Sequence, residues 1–387
     1  MSSTGETARS RLLVPFACGL VALAIGALGV RFAAEARGGS VTSLVGVTAT
    51  EPLAPVAAEV DPQFVFSADH LDGAYFYAIA LDPLATGRAH TLVDVPAYRF
   101  GHPGYGWLAW LLAAGRSSAV PLTMLWIGLA GMFAGGMAVS LVAARLGWTP
   151  WAGLFVAFNP GLVFATFALN SEPLAVAVLA LTLLAWMKER TLWAGVGLIA
   201  LCLIKEQFAL VPLGLLVWEI SRGNLGRDTE RKTRLTRVAV LAAGPVALFG
   251  WFAYLRSVYG VWPFAEHPLL MNPLTVPPKG YVDTLHRAAG FHAGAGDVAQ
   301  LGGIALPLLL VVGGVLVLGI VRAFRFTSPI DPVFILLTIL MFSLTWVQLL
   351  YPKDLMRIAA VQLLLAPAAI AGARTAGPDA PGPVIRS

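Results

Sequence analysis

Long runs of apolar residues, separated by short polar segments, dominate the chain. A helix that crosses a bilayer needs about 20 predominantly apolar residues, within a range of roughly 17 to 25. The first run follows Arg9 and Arg11 and has no small-residue cleavage site directly after it, so we interpret it as an uncleaved first helix. The pattern predicts ten crossings in all, at about 12–30, 119–144, 150–169, 173–187, 192–204, 206–221, 238–257, 300–321, 331–350 and 356–373.

One further apolar stretch, 105–114, is too short to cross a bilayer. We interpret it as a half-inserted or re-entrant helix, because counting it as a crossing would move the later basic loops to the opposite face. Short basic loops mark the cytoplasmic face of a membrane protein. With ten crossings both termini lie in the cytoplasm, together with the basic loop residues Arg145, Lys188, Arg190, Arg222, Arg227, Arg231, Lys232, Arg234, Arg237, Arg322 and Arg325.

Two long polar segments, 35–102 and 258–299, then form extracytoplasmic loops. The first contains eight acidic and three basic residues. No internal repeat of fixed period divides the chain, so residues 1–387 form a single transmembrane domain that includes both loops. The predicted fold is an all-α polytopic membrane protein with about ten transmembrane helices, a half-inserted or re-entrant helix and a long first extracytoplasmic loop.

The composition supports this membrane assignment. Hydrophobic residues make up 58% of the chain and charged residues only 12%, against roughly 25% charged residues in soluble proteins. These values exclude a cytosolic enzyme, a disordered protein and a secreted disulfide scaffold. Cys18 and Cys202 both lie inside apolar runs, so they imply no disulfide framework.

The basic character of the chain has a similar explanation. A net charge of +5 and a pI near 9.4 would suggest a polyanionic partner. However, the predicted cytoplasmic segments hold fifteen of the 26 basic residues but only seven of the 21 acidic residues. The surplus therefore follows the positive-inside rule, and no nucleic-acid partner is predicted.

Candidate chemistry is confined to polar clusters on the predicted outer side. In the segment 69–83, helical spacing would place Asp69, Asp72 and Phe76 on one face, beside other aromatic residues such as Tyr75. Carboxylates beside aromatic rings suit a sugar, since a carboxylate can accept a hydroxyl proton while a ring packs on the sugar. The alternative is a helix N-cap, a position that aspartate favours.

Two further clusters carry cations. Arg99 and His102 can contact a phosphate head group, or belong to the interfacial belt in which Tyr, Trp and Arg are common. Lys353 and Arg357 are i, i+4 partners and can hold a phosphate together, or snorkel to the interface.

The remaining clusters lie at tight turns between predicted spans. The helix after Glu172 has only about 15 residues, or about 22 Å, which is less than the ~30 Å hydrocarbon core, so Glu172 should be recessed. A plain turn capped by Asn170 or Ser171 is the alternative. Residues 191–221 cross twice, which should also recess Lys205 and Glu206. The alternative for these two is a neutralised pair that closes a hairpin.

No cofactor or metal site is predicted, although dependence on a divalent metal is left open. The chain has no phosphate-binding glycine loop, nucleophile elbow or zinc-protease motif in a suitable context. His267, His286 and His292 lack metal-ligand spacing. Because the five clusters share one side, they predict a single outer cavity at the membrane surface, where a lipid-linked substrate would present its head group.

In order and spacing, the first half of the chain resembles the GT-C superfamily of integral-membrane glycosyltransferases, and within it the branch that uses polyprenyl-phosphate mannose. The matching elements are Asp72-Gly73-Ala74-Tyr75-Phe76-Tyr77, Tyr98-Arg99-Phe100, Gly106-Trp107-Leu108-Ala109-Trp110-Leu111-Leu112, Asn159-Pro160 before Ser171-Glu172, and Cys202-Leu203-Ile204-Lys205-Glu206. The chain departs from the family pattern at Leu71, where a Trp is usual, and at His102-Pro103-Gly104-Tyr105.

The resemblance implies an inverting transfer of a sugar from a polyprenyl-phosphate donor to a lipid, glycan or protein acceptor, in a bacterial plasma membrane. Asp72 would be the general base. Arg99, Lys205 and Arg357 would bind the phosphate, and Glu172 and Glu206 would orient sugar hydroxyls or the cations. The remaining predicted substrate-binding residues are Asp69, Tyr75, His102 and Lys353.

Two other functions fit a polytopic chain with recessed polar groups. A transporter or lipid flippase would be favoured by inverted repeats and helices broken within the membrane. A non-catalytic membrane assembly factor would be favoured if Asp72, Glu172 and Glu206 were far apart in the fold. Convergence of these side chains favours an enzyme.

Overall fold

The computed structural model describes residues 3–225, 230–266, 274–290 and 296–373, with side chains from residue 12 onward apart from 296–303. Within these residues the chain is helical and forms no strand beyond two isolated bridges. In chain order the α-helices are α1 (Ser3–Glu35), α2 (Ala54–Val60), α3 (Gly73–Leu81), α4 (Pro96–Arg99), α5 (Gly104–Leu112), α6 (Val120–Arg145), α7 (Leu154–Ala157), α8 (Pro160–Phe167), α9 (Glu172–Met187), α10 (Thr191–Ile204), α11 (Leu210–Ser221), α12 (Arg231–Tyr259), α13 (Lys279–Ala288), α14 (Gly296–Ala323), α15 (Ile330–Phe342), α16 (Trp346–Leu349), α17 (Pro352–Ile358) and α18 (Ala360–Ala371).

Four of the described helical stretches are long and apolar enough to cross a membrane: Leu12–Glu35, Ser117–Arg145, Arg231–Tyr259 and Ile304–Ala323. Two bent pairs, Pro150–Ala157 with Pro160–Phe167 and Pro352–Ile358 with Ala360–Ala371, raise the number to six if each pair is one span. By their length and composition, these helices are typical of a polytopic membrane protein. Their large exposed side chains, among them Leu13, Phe32 and Phe249, suit contact with lipid rather than water.

The other four predicted crossings correspond to shorter helices. α9, α10, α11 and α15 have 16, 14, 12 and 13 residues, which is less than the roughly 20 residues that a straight crossing requires. The count of ten crossings therefore stays a prediction. The stretch 105–114 forms α5, a nine-residue helix that is too short to cross.

The helices place two different polar surfaces at their opposite ends. α6 and α9 pack side by side and run in the same direction, since Gly131 contacts Pro173 while the ends at Arg145 and Met187 lie together. We call the end of the bundle at which Arg145, Lys188 and Arg190 lie the basic end. The opposite end, where Glu172 begins α9 and the segment 36–103 packs, is the loop end.

Two glycines allow the close contacts that bring distant segments together at the loop end. A Cβ on Gly161, in α8, would overlap the backbone carbonyl of Met356 in α17. It would also lie 2.7 Å from the backbone nitrogen of Arg357. A Cβ on Gly73 would lie 2.6 Å from the carbonyl oxygen of Ala168, just after α8. The backbone of α8 therefore contacts α17, and the residue directly after α8 contacts the start of α3.

The structure corrects one local prediction from the sequence. α3 begins at Gly73, so Asp69 and Asp72 precede the helix and do not share a helical face with Phe76. Asp72 occupies the N-cap position of α3, as the capping alternative expected, but its side chain makes no capping hydrogen bond. Just before α3, the Leu71 nitrogen donates to the carbonyl of Gly46, which holds this part of the loop against the segment around Gly46.

The contact between α8 and α17 gives the first prediction. Gly161→Ala forces the two backbones apart, and we expect the free energy of unfolding to fall by about 2 kcal/mol, as is typical of overpacking. Thermal unfolding of the purified chain in detergent measures the change as a lower Tm.

The matched control is Gly250→Ala in α12, where a Cβ meets no atom within 4 Å. Alanine favours a helix over glycine, so this variant should unfold at the same or a higher temperature. Equal losses of Tm in the two variants would contradict the proposed role of Gly161.

Candidate functional site

Arg357 lies at the centre of the polar groups of the loop end. Its guanidinium donates to the Asp72 carboxylate, which comes from a segment 285 residues earlier in the chain. The same guanidinium lies 3.7 Å from Glu172 Oε1 and 3.4 Å from Asp354 Oδ1. One partly buried cation thus joins the first long loop, the start of α9 and α17.

A second cation completes this central cluster, which we define as Asp72, Glu172, Lys205, Asp354 and Arg357. Lys205 Nζ donates to Glu172 Oε1 over 2.6 Å. Lys205 directly follows α10, so Glu172 receives cations from two different helices. The cluster contains three carboxylates and two cations, and the two cations neutralise only part of its negative charge.

Exposure distinguishes the carboxylates of the central cluster. The Asp72 side chain is 35% exposed, that of Asp354 23% and that of Glu172 only 5%. Burial by itself would raise the pKa of Asp72. The positive charge and hydrogen bond of Arg357 outweigh burial, with further help from Arg99 and Lys205, and hold the pKa of Asp72 well below its usual range. Asp72 is therefore ionised and the most accessible acid of the cluster.

Contacts with Asp94 and Tyr75 hold Arg99 close to the central cluster. The Arg99 guanidinium donates twice to Asp94, at 3.0 and 3.1 Å, and once to the Tyr75 hydroxyl at 3.1 Å. It also lies 3.7 Å from the centre of the Tyr75 ring, a cation–π distance. Although Arg99 makes no hydrogen bond to Asp72, its charge contributes to the low pKa of that carboxyl.

His102 and Glu206 form the third group. His102 Nδ1 lies 3.2 Å from Glu206 Oε2, and the His102 ring packs edge-on against Phe76. Glu206 directly follows Lys205, so this pair adjoins the central cluster through the backbone. The alternative of an isolated Lys205–Glu206 pair is wrong, because Lys205 bonds Glu172 and Glu206 lies against His102.

Two predicted site residues lie apart from these groups. The Asp69 side chain is exposed in the loop before α3. Lys353 is exposed as well, with Nζ 5.9 Å from the centre of the Phe164 ring, while Arg357 on the same short helix turns toward Asp72. The expected joint phosphate clamp of Lys353 and Arg357 is therefore not formed in this structure.

The structure also adds two residues that the sequence interpretation did not select. Asp354 contacts Arg357 at i, i+3, and Asp94 contacts Arg99 from five residues earlier. The i, i+3 spacing of Asp354 and Arg357 in the sequence could have identified Asp354 as a contact of Arg357. Asp94 had no such signal, because it lies in an irregular segment before α4.

The turn before α9 leaves buried polar atoms free. Asn170 Oδ1, Ser171 Oγ and Glu172 Oε2 are buried without a hydrogen-bond partner. Ser171 occupies the N-cap position and Pro173 the first turn, as the alternative of a capped turn expected, but neither Asn170 nor Ser171 accepts a capping hydrogen bond. Buried polar atoms are normally hydrogen-bonded. Since Glu172 lies beside Lys205 and Arg357, this turn marks a place where a polar ligand would find partners.

Among the described residues, no group of three or more His, Cys, Asp and Glu side chains is suited to hold a metal ion. His267 and His292 lie outside the described residues. The loop end instead offers a carboxylate that can accept a proton and two cations that can bind an anion.

No protein-family model, curated protein or solved structure matches this chain.

Proposed function

We propose that the protein is a membrane glycosyltransferase of the GT-C type, which moves a sugar such as mannose from a polyprenyl-phosphate donor to an extracytoplasmic acceptor. The observation that carries the proposal is the convergence of Asp72 with Lys205 and Arg357 at one end of an apolar helix bundle. An accessible base beside two cations is the arrangement that sugar transfer from a phosphate requires.

The reaction is a single displacement. The acceptor hydroxyl oxygen attacks the anomeric carbon, and Asp72 takes the hydroxyl proton as the new glycosidic bond forms. The bond between the anomeric carbon and the phosphate oxygen breaks, and the lipid phosphate leaves with the electron pair. Attack opposite the leaving group inverts the configuration of the anomeric carbon. Arg357 and Lys205 stabilise the charge that develops on the phosphate.

An exchange of ion pairs prepares the base. In the free protein Arg357 bonds Asp72, which makes this carboxylate a weak base. When the donor phosphate binds Arg357, it competes with Asp72 for the guanidinium. The pKa of the released carboxyl then rises, and Asp72 becomes a better proton acceptor in the donor complex than in the free protein.

The surrounding groups have supporting roles in this proposal. Glu172 bonds Lys205 and lies near Arg357, and so holds the two phosphate-binding cations at one place. Tyr75 presents an aromatic ring next to Arg99, and His102 with Glu206 provides polar atoms for sugar hydroxyls. Tyr75, Arg99, His102 and Glu206 therefore belong to the proposed substrate-binding surface.

The proposed orientation follows from the charge distribution. The basic end carries Arg145, Lys188 and Arg190, so it faces the cytoplasm by the positive-inside rule. The loop end then faces outward, both termini are cytoplasmic, and ten crossings include the short helices α9, α10, α11 and α15. A bacterial plasma membrane with polyprenyl-phosphate sugars on its outer leaflet is the proposed location.

A lipid transporter or flippase is the second candidate function, because of the two broken helices. α7 and α8 meet at 52° and α17 and α18 at 53°, and the second break lies two residues after Arg357. Broken helices beside a charged site occur in transporters. Movement of a labelled polyprenyl-phosphate sugar across the membrane without sugar transfer would favour this function.

The base assignment gives the second prediction. Asp72→Asn keeps the size of the side chain but removes the proton acceptor, so transfer should fall by at least about a hundredfold. The assay uses membranes with radiolabelled polyprenyl-phosphate sugars and counts label in the acceptor fraction. Asp69→Asn is the matched control, and we expect its activity to be near that of the parent protein. Near-normal transfer by Asp72→Asn in folded protein would exclude Asp72 as the base.

The phosphate assignment gives the third prediction. Lys205→Met removes a cation that stabilises the leaving phosphate, and we expect kcat/KM for the donor to fall by about a hundredfold. Lys353→Met is the control, since the exposed Lys353 lies outside the central cluster. If Lys353→Met lowers kcat/KM as much as Lys205→Met does, the cations act through the total positive charge of this surface and not from defined positions. The proposed site is then wrong.

A further inference from the structure

The two broken helices of the bundle touch each other at their breaks. α7 and α8 meet at 52°, and α17 and α18 meet at 53°. Asn159 lies in the first break, directly before α8, and its side chain is buried. Its Nδ2 donates to the backbone carbonyl of Ala360, the first residue of α18, over 3.4 Å. One side chain therefore ties the first break to the second.

The sequence explains why an asparagine can make this tie. Pro160 lacks a backbone N–H and favours an extended conformation at the residue before it, so α7 cannot continue into α8 as one helix. Asn159 is extended, with φ −81° and ψ 108°, and caps α8 by accepting from the Leu162 nitrogen at Oδ1 over 3.2 Å. An amide has an acceptor and a donor, so its oxygen holds α8 while its nitrogen holds α18.

The tie lies close to Arg357. α17 has only seven residues, and Arg357 is its last but one. The backbone of α17 packs directly on α8 at Gly161, two residues after Asn159. The direction in which α17 meets α18 therefore decides where the Arg357 guanidinium lies. This guanidinium bonds Asp72 and lies near Glu172, so the geometry of the break reaches the central cluster.

We propose that Asn159 is a positioning residue, which fixes the break between α17 and α18 and thereby holds Arg357 at the central cluster. The side-chain hydrogen bonds of Asn159 go to α8 and α18, so its effect passes through α17. Its part in catalysis rests on the proposed sugar transfer. Its effect on Arg357 does not, because the positive charge of Arg357 lowers the pKa of Asp72 whether or not a substrate is present.

The test compares Asn159→Ser with the parent protein, both as full chains in mild detergent. Serine caps a helix about as well as asparagine does, but its single hydroxyl cannot hold both partners, so the variant loses the tie to Ala360 and keeps the cap. A water-soluble carbodiimide with an amine labels protonated carboxyl groups. Peptide mass spectrometry then gives the labelling rate of Asp72 at about pH 5, where an ordinary aspartate is largely ionised.

We expect Asp72 to be labelled about tenfold faster in Asn159→Ser, because a displaced Arg357 lets the pKa of Asp72 rise by about one unit. Asp69 is exposed in the same loop and serves as the internal reference, with an unchanged rate. Thr149→Ala is the matched control. It removes a side-chain cap from the turn before α7 but no contact with α18, so Asp72 should react as in the parent.

Several outcomes would overturn the proposal. One is a parent-like labelling rate of Asp72 in folded Asn159→Ser, and another is an equal acceleration in Thr149→Ala. Asn159→Thr is a second variant that retains a capping hydroxyl, and it should behave as Asn159→Ser does. If thermal unfolding shows that neither variant folds, Asn159 serves the stability of the fold and has no separate positioning role.

Sugar transfer distinguishes this proposal from the proposed function. In the membrane assay, kcat/KM of Asn159→Ser for the donor should fall about tenfold, less than in Lys205→Met, because Arg357 is displaced and not removed. If the parent transfers no sugar but Asn159→Ser still accelerates the labelling of Asp72, Asn159 positions Arg357 and only the proposed function is wrong. Accelerated labelling with unchanged kcat/KM would contradict the assignment of Arg357 to the donor phosphate.

Discussion

The partly buried guanidinium of Arg357 is the constraint on which the loop end depends. A charge removed from water is costly unless it is paired and hydrogen-bonded. Arg357 meets this requirement only if Asp72, Glu172 and Asp354 come to it, and these residues belong to a long loop, α9 and α17. The same requirement therefore sets the path of the loop and the packing of two helices.

The residues of the central cluster hold the loop end together and also form the proposed site. Removing one partner of a buried pair leaves an uncompensated charge, so the groups that hold the loop end together cannot be varied freely. Yet Asp72 keeps about a third of its side chain exposed and lies within reach of a ligand. In the proposed reaction, a phosphate that replaces Asp72 at Arg357 would satisfy the cation and free the Asp72 carboxylate in the same step.

The short helices allow these charges to lie below the ends of the longer ones. α9 and α10 have 16 and 14 residues, and α9 begins beside Gly131, in the interior of the longer α6. Small residues permit the necessary contacts, since Gly161 and Gly73 bring backbones together where a Cβ would collide. Length and side-chain size thus decide where the polar groups meet.

The sequence by itself determined the helical class, the apolar stretches, the separation of basic loops from the acidic loop, and four of the five residues that form the central cluster. These features depend on hydrophobic runs and local charge, which are readable over tens of residues. The pairing of Asp72 with Arg357 across 285 residues, the late start of α3, and the exclusion of Asp69 and Lys353 came only from the tertiary structure. Charge pairing between distant segments depends on how the helices pack, and no local pattern in the sequence encodes that packing.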